Sequence, residues 1–337
     1  MKSKARIVAI GAYVPERKLT NDDLEQMVDT SNEWIVRRTG IRERRILPED
    51  QFTSDLAFGA VQNLTDRYPI SLDDVDLIIV STSTPDFAFP SVAAQVQAKF
   101  HISGAGAFDL NATCAGFEYI LHVANGLVTS GLNKKVLVVA AESMSKATDY
   151  TDRSTCVLLG DGAGAAIVEY SEGSSDFLGS FMGSDGSMGK MLYRTGLSKV
   201  MNGAKLIDTG KMVQNGRELY KWVVKNVTRS VIQLVENSGF DFTDIDWFIP
   251  HSANLRMVES ICERLDFPME KVLYSLEYYG NTSSATIPLA LSEAIKAGTI
   301  KKNDCLLLYG FGGGLVHCGQ IIRCRLNEQD NSNIMKQ

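Results

Sequence analysis

The sequence predicts a layered α/β fold made of two similar halves. Short apolar strands alternate with helical stretches along the chain, and one part of the chain repeats another at an offset of about 170 residues. Asp74-Val-Asp-Leu-Ile-Ile-Val80 matches Asp244-Ile-Asp-Trp-Phe-Ile-Pro250, each an acidic turn leading into a buried strand. Lys135-Val-Leu-Val-Val139 matches Asp304-Cys-Leu-Leu-Leu308. Between these pairs each half carries a strand–turn–helix passage, at 107–130 and at 272–297.

The Val/Ile/Leu runs read as strands of a mostly parallel or mixed sheet with covered faces. Apolar residues at helical spacing predict helices over 92–100, 117–129, 219–237, 255–265 and 287–297. Residues 107–110 read as a short buried strand that runs through a small-residue turn into the second of these helices. Gly160-Asp-Gly-Ala-Gly164 lacks the Lys-Ser/Thr of a phosphate loop and reads as a tight turn before the buried strand 165–168. The stretch 173–215 is rich in Gly, Ser and Met, with weak periodicity. It reads as a connecting excursion that borders the site. The expected division is 1–172, 173–326 and a polar, disordered tail over 327–337.

The chain has 337 residues, 45% hydrophobic and 22% charged, with net charge -6. That balance gives no general attraction for nucleic acid, so an acidic partner must dock on a local basic patch. None of the six cysteines forms a Cys-x-x-Cys pair, and no histidine cluster has zinc spacing. The apolar run at the N-terminus is too short for a signal peptide or a membrane span. A reducing, cytoplasmic location is expected.

Cys114 stands apart from the other cysteines. It lies where a strand turns into a helix, and the unpaired N–H groups and dipole of a helix start favour an anion. A thiolate accessible near neutral pH is therefore expected. His251 and Asn281 each follow a predicted strand, and a cysteine with a distant His and Asn is a candidate nucleophile system. In α/β sheets functional groups gather at strand C-termini. These three converge if the halves pack about a pseudo-twofold axis. Read singly, Cys114 is a structural thiol, His251 a satisfied histidine and Asn281 a turn residue. His101, His122 and His317 carry no motif.

Taken together the motifs resemble a known family. Cys114-Ala-Gly-Phe117, Pro250-His-Ser-Ala-Asn-Leu-Arg256, Tyr279-Gly-Asn-Thr-Ser283 and Gly310-Phe-Gly-Gly-Gly314 look like the signatures of β-ketoacyl-[acyl carrier protein] synthase III. Thr30-Ser-Asn-Glu-Trp-Ile-Val36 and Arg38-Thr-Gly-Ile-Arg42 add to the likeness, which runs over about residues 5–326. The resemblance implies a thiolase-like αβαβα fold and the initiation of fatty acid synthesis. A short acyl group moves from coenzyme A to the cysteine, then condenses with malonyl carrier protein.

The resemblance also implies roles. Cys114 is the nucleophile, and His251 and Asn281 are neutral donors to the enolate formed by decarboxylation. The backbone N–H groups of Cys114 and Gly313 form the oxyanion hole, aided by positive φ in the glycine run. Trp34 and Arg153 sandwich the adenine of coenzyme A, Arg38 contacts phosphate, and Asn254 and Gly216 neighbour the pantetheine. Lys221, Arg256 and Arg264 dock the carrier protein. Lys221 belongs to a basic stripe with Arg217, Lys225 and Arg229 at i, i+4 spacing, although such a stripe is also the mark of a solvated face. Phe89 gates the acyl pocket of a partner subunit in a homodimer. No cofactor or metal is implied, acyl-CoA being a substrate. Two other readings stand beside this one: a specialised polyketide- or quinolone-type condensing enzyme using other acyl donors or malonyl-CoA, and a non-catalytic acyl-binding subunit. The second needs none of the three residues Cys114, His251 and Asn281.

Overall fold

The computed structural model describes residues 2–173 and 175–326. The tail expected over 327–337 lies outside them. Strands β1 (Ala5–Tyr13), β2 (Leu77–Ser81), β3 (Gly106–Leu110), β4 (Lys135–Ser143) and β5 (Asp161–Tyr170) form one sheet in the order β1-β5-β4-β2-β3. Strands β6 (Phe177–Ser184), β7 (Trp247–Pro250), β8 (Cys305–Gly312) and β9 (Val316–Arg323) form a second, in the order β7-β8-β9-β6.

The two sheets repeat one plan. β2 runs parallel to β4, which is antiparallel to β5, which is antiparallel to β1. β7 runs parallel to β8, β8 antiparallel to β9, and β9 antiparallel to β6. The counterpart of β3 shrinks to one parallel bridge between Phe248 and Val272.

The helices of eight residues or more are α1 (Asn32–Thr39), α2 (Thr53–Arg67), α3 (Val92–Lys99), α4 (Gly116–Ser130), α5 (Gly216–Asn237), α6 (Leu255–Leu265) and α7 (Thr286–Lys296). Five of them fall within a few residues of the ranges read from apolar spacing. α4 and α7 touch both sheets and form the middle layer. α2 and α3 cover the outside of the first sheet, and α5 the outside of the second, with α6 packed beside it. Every residue of β2 and β4 is buried, which is why they read as unbroken apolar runs. One core joins Ile7, Val138, Ile287 and Leu308 across the middle layer. A second packs α5 and α6 on the far sheet through Val231, Ile261 and Leu307.

Three expectations are corrected. First, β3 is not buried. It is a sheet edge, and Phe108 is exposed because among the described residues no strand pairs beyond it. Second, Gly162 and Gly164 lie inside β5, not in a turn. A Cβ on Gly164 would stand 2.4 Å from Pro288 Cβ, so glycine there lets α7 press onto the sheet. Third, 173–215 is only partly an excursion, since Phe177–Ser184 supplies β6. Its small residues hide a strand because they leave no apolar signature. A Cβ on Gly179 or Gly183 would run into Ser238 or His317, so the close approach excludes larger side chains.

Candidate active site

Cys114 sits in a 3-10 turn, Thr113–Ala115, which leads into α4. The same turn recurs before α7, as Ser283–Ala285. Thr113 (φ 45°) and Ser283 (φ 54°) both adopt the left-handed region, which costs a residue with a Cβ on the order of 1 kcal/mol or more. An asparagine two residues earlier holds each in place. Asn111 Oδ1 accepts from the Thr113 N–H at 3.2 Å, and Asn281 Oδ1 from the Ser283 N–H at 2.9 Å. Asn281 therefore spends its carbonyl on the turn, and its Nδ2 group has no partner among the described residues. The backbone of Asn281 is pinned to the first half as well: its N–H donates to Leu158 O at 2.8 Å, and its carbonyl accepts from the Gly160 N–H at 3.1 Å.

Two hollows meet at Cys114. Cys114, His251 and Asn281 border one together with Gly216 and Asn254. Cys114, Ser283 and Gly313 border the other, which Ser83 and Thr84 also line. Met144, Leu192 and Met212 line both. Leu192 and Met212 come from the excursion, which therefore does border the site. A glycine allows the nucleophile its place: a Cβ on Gly116 would stand 1.8 Å from Ser81 Oγ, so only glycine lets α4 begin against the end of β2. In the glycine run the positive φ expected there falls at Gly314 (φ 141°) and not at Gly313.

Gly312 is packed against the nucleophile turn. A Cβ there would stand 2.4 Å from Thr113 Oγ1 and 2.8 Å from the Cys114 nitrogen. Gly312→Ala is expected to cost about 1–3 kcal/mol and to displace Cys114. A lowered melting temperature together with lost acyl loading is the expected result; wild-type values for both would contradict this packing.

Burial pushes the Cys114 thiol up to about 12. The Glu142 carboxylate adds to the shift, and the Ser283 hydroxyl, 3.3 Å from Sγ, opposes it. The thiolate expected near neutral pH is thus not the resting form: loss of water outweighs the helix start. Burial also lowers His251 to about 3, so its ring is neutral. Nδ1 lies 2.8 Å from Thr286 Oγ1, and that hydroxyl lies 3.1 Å from Ser283 O. One hydroxyl proton serves one acceptor at a time. Donated to Nδ1, it leaves the imidazole proton on Nε2, facing a substrate oxygen as a donor. Donated to the carbonyl, it leaves the imidazole proton on Nδ1 and Nε2 bare.

The other expected contacts are placed as follows. Arg153 lies on the Trp34 ring, its Cζ 4.4 Å from the centroid, and its Nη1 donates to Asp29 O at 2.7 Å. Arg38 Cζ is 5.9 Å from the same ring. Arg153 and Trp34 thus stack directly on each other, and an adenine between them requires Arg153 to swing off the ring. Asn254 Oδ1 caps α6 through the Met257 N–H at 2.9 Å. Arg217, Lys221, Lys225 and Arg229 are all exposed on α5, and Arg256 and Arg264 on α6. The two helices are tied by Tyr220 Oη and Ser260 Oγ at 2.6 Å. Phe89 is 86% exposed and fills neither hollow of its own chain.

The comparisons with known proteins agree with this geometry. Residues 108–186 match the family model for 3-oxoacyl-[acyl-carrier-protein] synthase III, and residues 235–324 match the model for its C-terminal part. A β-ketoacyl-[acyl-carrier-protein] synthase III 2 from Halalkalibacterium halodurans is 58% identical over 98% of this chain and 99% of that protein. The chain belongs to the β-ketoacyl-[acyl carrier protein] synthase III family. The Bacillus subtilis protein of the same name is also 58% identical, over 95% of this chain and 99% of its own. The crystal structure of the Thermus thermophilus synthase III superposes with a TM-score of 0.91 at 46% identity, covering 95% of this chain and 99% of that one. The chain is thus a condensing enzyme of the acyltransferase type with the thiolase-like fold, and its relatives do not favour the specialised alternative. Among the described residues no helix is long and apolar enough to cross a membrane.

Sequence reasoning missed several groups at the synthase site. Glu142 is fully buried at the end of β4, and Glu118 is fully buried one turn along α4 from Cys114. Among the described residues both Glu118 carboxyl oxygens are without partners, and burial holds its pKa well above the usual carboxylate range. The signal for Ser283 was available: Asn111-Ala-Thr and Asn281-Thr-Ser stand at the same offset as the rest of the repeat. Nothing local marks Glu142, because its partners come from distant segments.

Proposed function

We propose that this synthase starts fatty acid chains by loading a short acyl group from coenzyme A onto Cys114 and condensing it with malonyl carrier protein, with release of coenzyme A and carbon dioxide. One observation carries the reading: Cys114, His251 and Asn281, delivered by three separate segments of the chain, border one hollow. Cys114 attacks the acyl thioester while its own N–H and that of Gly313 face the oxyanion. Malonyl decarboxylation then places an enolate oxygen before His251 Nε2 and Asn281 Nδ2, both neutral donors. The carbanion attacks the acyl-cysteine. Carbon dioxide departure makes this nucleophile, so no base is needed to remove an α-proton. The test is intact mass after mixing with a panel of acyl-CoAs, followed by malonyl carrier protein. An acyl adduct discharged as β-ketoacyl product supports the reading, and an adduct discharged only by malonyl-CoA contradicts it.

The hollow with Gly216 and Asn254 fits the pantetheine arm, and the half-buried Trp34 with the exposed Arg38 and Arg153 fits the nucleotide end. Exposed Lys221, Arg256 and Arg264 on α5 and α6 fit an acidic carrier helix, which a local basic face can steer despite the negative net charge. Lys221 is ion-paired with Glu218 at 2.7 Å, an exposed contact of small energy that a partner can displace. Lys221→Glu with Arg256→Glu should raise KM for malonyl carrier protein roughly tenfold and leave acyl-CoA loading nearly unchanged. Equal loss for both substrates would return the stripe to solvation.

The exposed edge β3, with Phe87, Phe89 and Phe108 all exposed, suits a homodimer in which Phe89 closes the partner's acyl hollow. Phe89→Ala should broaden the accepted chain length toward longer acyl-CoAs, read from relative loading rates. An unchanged preference removes the gate.

A further inference from the structure

Glu142 sits beneath the nucleophile in an unusual setting for a buried carboxylate. All of its close donors are uncharged. Oε2 accepts from the Ser83 N–H at 3.0 Å, Ser83 Oγ at 2.9 Å and Thr84 Oγ1 at 2.9 Å, with Thr82 Oγ1 farther off at 3.4 Å. Oε1 lies 3.1 Å from Ser283 Oγ and 3.0 Å from Ser284 Oγ. Ser283 Oγ in turn lies 3.3 Å from Cys114 Sγ. Ser283 has one hydroxyl proton. When it is given to the carboxylate, the serine oxygen is free to accept, and the neighbour able to donate is the Cys114 thiol. The geometry is then a continuous chain from Sγ–H to Ser283 Oγ–H to Glu142 Oε1. Its midpoint is held by the left-handed Ser283 and the Asn281 turn.

We propose that Glu142, acting through the Ser283 hydroxyl, receives the Cys114 proton during acyl loading and returns it to the departing coenzyme A sulfur. This rests on the acyl-loading function proposed above. The Sγ–H bond breaks as the Sγ–acyl carbon bond forms. The thiol proton passes to Ser283 Oγ, the serine proton passes to Glu142 Oε1, and the thioester carbonyl becomes an oxyanion. On collapse the acyl carbon–sulfur bond to coenzyme A breaks. That sulfur takes a proton from Ser283, which recovers one from Glu142. The carboxylate is regenerated and no proton is gained or lost.

The relay answers a difficulty that the raised thiol creates. With the Cys114 thiol held up at about 12, a mechanism needing preformed thiolate leaves very little reactive enzyme near neutral pH. Moving the proton as sulfur attacks removes that requirement. The titratable groups facing the relay are Cys114 itself, Glu118 one turn along α4, and His251 across the hollow. His251 is neutral, and Glu118, raised by burial, has no partner among the described residues through which to join the chain.

A purely electrostatic role for Glu142 predicts the opposite sign. Its negative charge opposes thiolate formation, so Glu142→Gln would then ease ionisation and speed loading. The experiment is the rate of acyl-adduct formation from acetyl-CoA, followed by intact mass between roughly pH 6 and 10, for the full-length wild type, Glu142→Gln and Ser283→Ala. The wild type should be nearly flat above pH 7. Both variants should fall roughly 100-fold at pH 7 and climb about tenfold per pH unit, as hydroxide replaces the internal acceptor. The double variant should be no slower than either single one. Ser283→Ala keeps Glu142 in its nest of Ser83, Thr84 and Ser284, so it tests the chain if Glu142→Gln folds poorly. Faster or unchanged loading in either folded variant overturns the relay, as does a loss that is equal at every pH. A wild type that forms no adduct with any acyl-CoA sinks the loading function itself, and the relay with it.

Discussion

Cys114→Ser is expected to abolish acyl-adduct formation, by at least roughly 10³-fold in the loading rate. The other five cysteines cannot substitute, because all five are buried away from the hollows. The serine hydroxyl is a far weaker acid than a thiol, and the site opposes negative charge at this position even for sulfur, as the rise of Cys114 to about 12 shows. Folding should be little affected, since the two side chains are nearly the same size and Ser283 Oγ can hydrogen-bond to either. The measurement is intact mass with acetyl-CoA alongside a thermal melt. A folded variant that still loads at the wild-type rate would remove Cys114 as the nucleophile.

The second large effect should divide the two half-reactions. Asn281→Ala and His251→Ala should each slow malonyl decarboxylation by roughly 10²–10³-fold, the cost of one oxyanion donor, while loading falls much less. The reason is geometric. Among the described residues Asn281 Nδ2 and His251 Nε2 carry no hydrogen bond and both residues line the hollow, whereas the oxyanion of the loading step is assigned to backbone N–H groups. The Asn281 variant should also lose stability, since its Oδ1 holds the Ser283 N–H at 2.9 Å in a left-handed turn. Asn281→Asp separates the two effects: it keeps the turn acceptor and replaces the donor by a second oxygen. Release of carbon dioxide from malonyl carrier protein by the pre-loaded enzyme is the readout. Equal loss in loading and decarboxylation would contradict the assignment of both groups.

Much of the fold was legible because the chain says it twice. The match of 74–80 to 244–250 and of 135–139 to 304–308 follows from strands largely buried on both faces, which favour runs of apolar residues. The helices were legible from the one face each buries. β6 was not, because Gly179 and Gly183 are dictated by neighbours across space and leave no apolar run. The edge position of β3 was not, because Ala107-Phe-Asp-Leu110 has the same composition whether or not another strand lies beside it.

The site divides along the same line. Which residues carry the chemistry is a local property: Cys114 at a helix start, His251 after a strand and Asn281 in a turn, each inside a motif, although the strand expected before Asn281 is a short helix, Leu276–Tyr279. Their meeting required the halves to pack about α4 and α7, and glycines such as Gly116 and Gly164 permit that packing. Protonation states are set by tertiary structure alone. A helix start lowers a thiol's pKa, but enclosure by both halves removes water and reverses the sign. For the same reason Glu142 is silent in the sequence. Its meaning lies in Ser83, Thr84, Ser283 and Ser284, brought to it by the fold from up to 142 residues away.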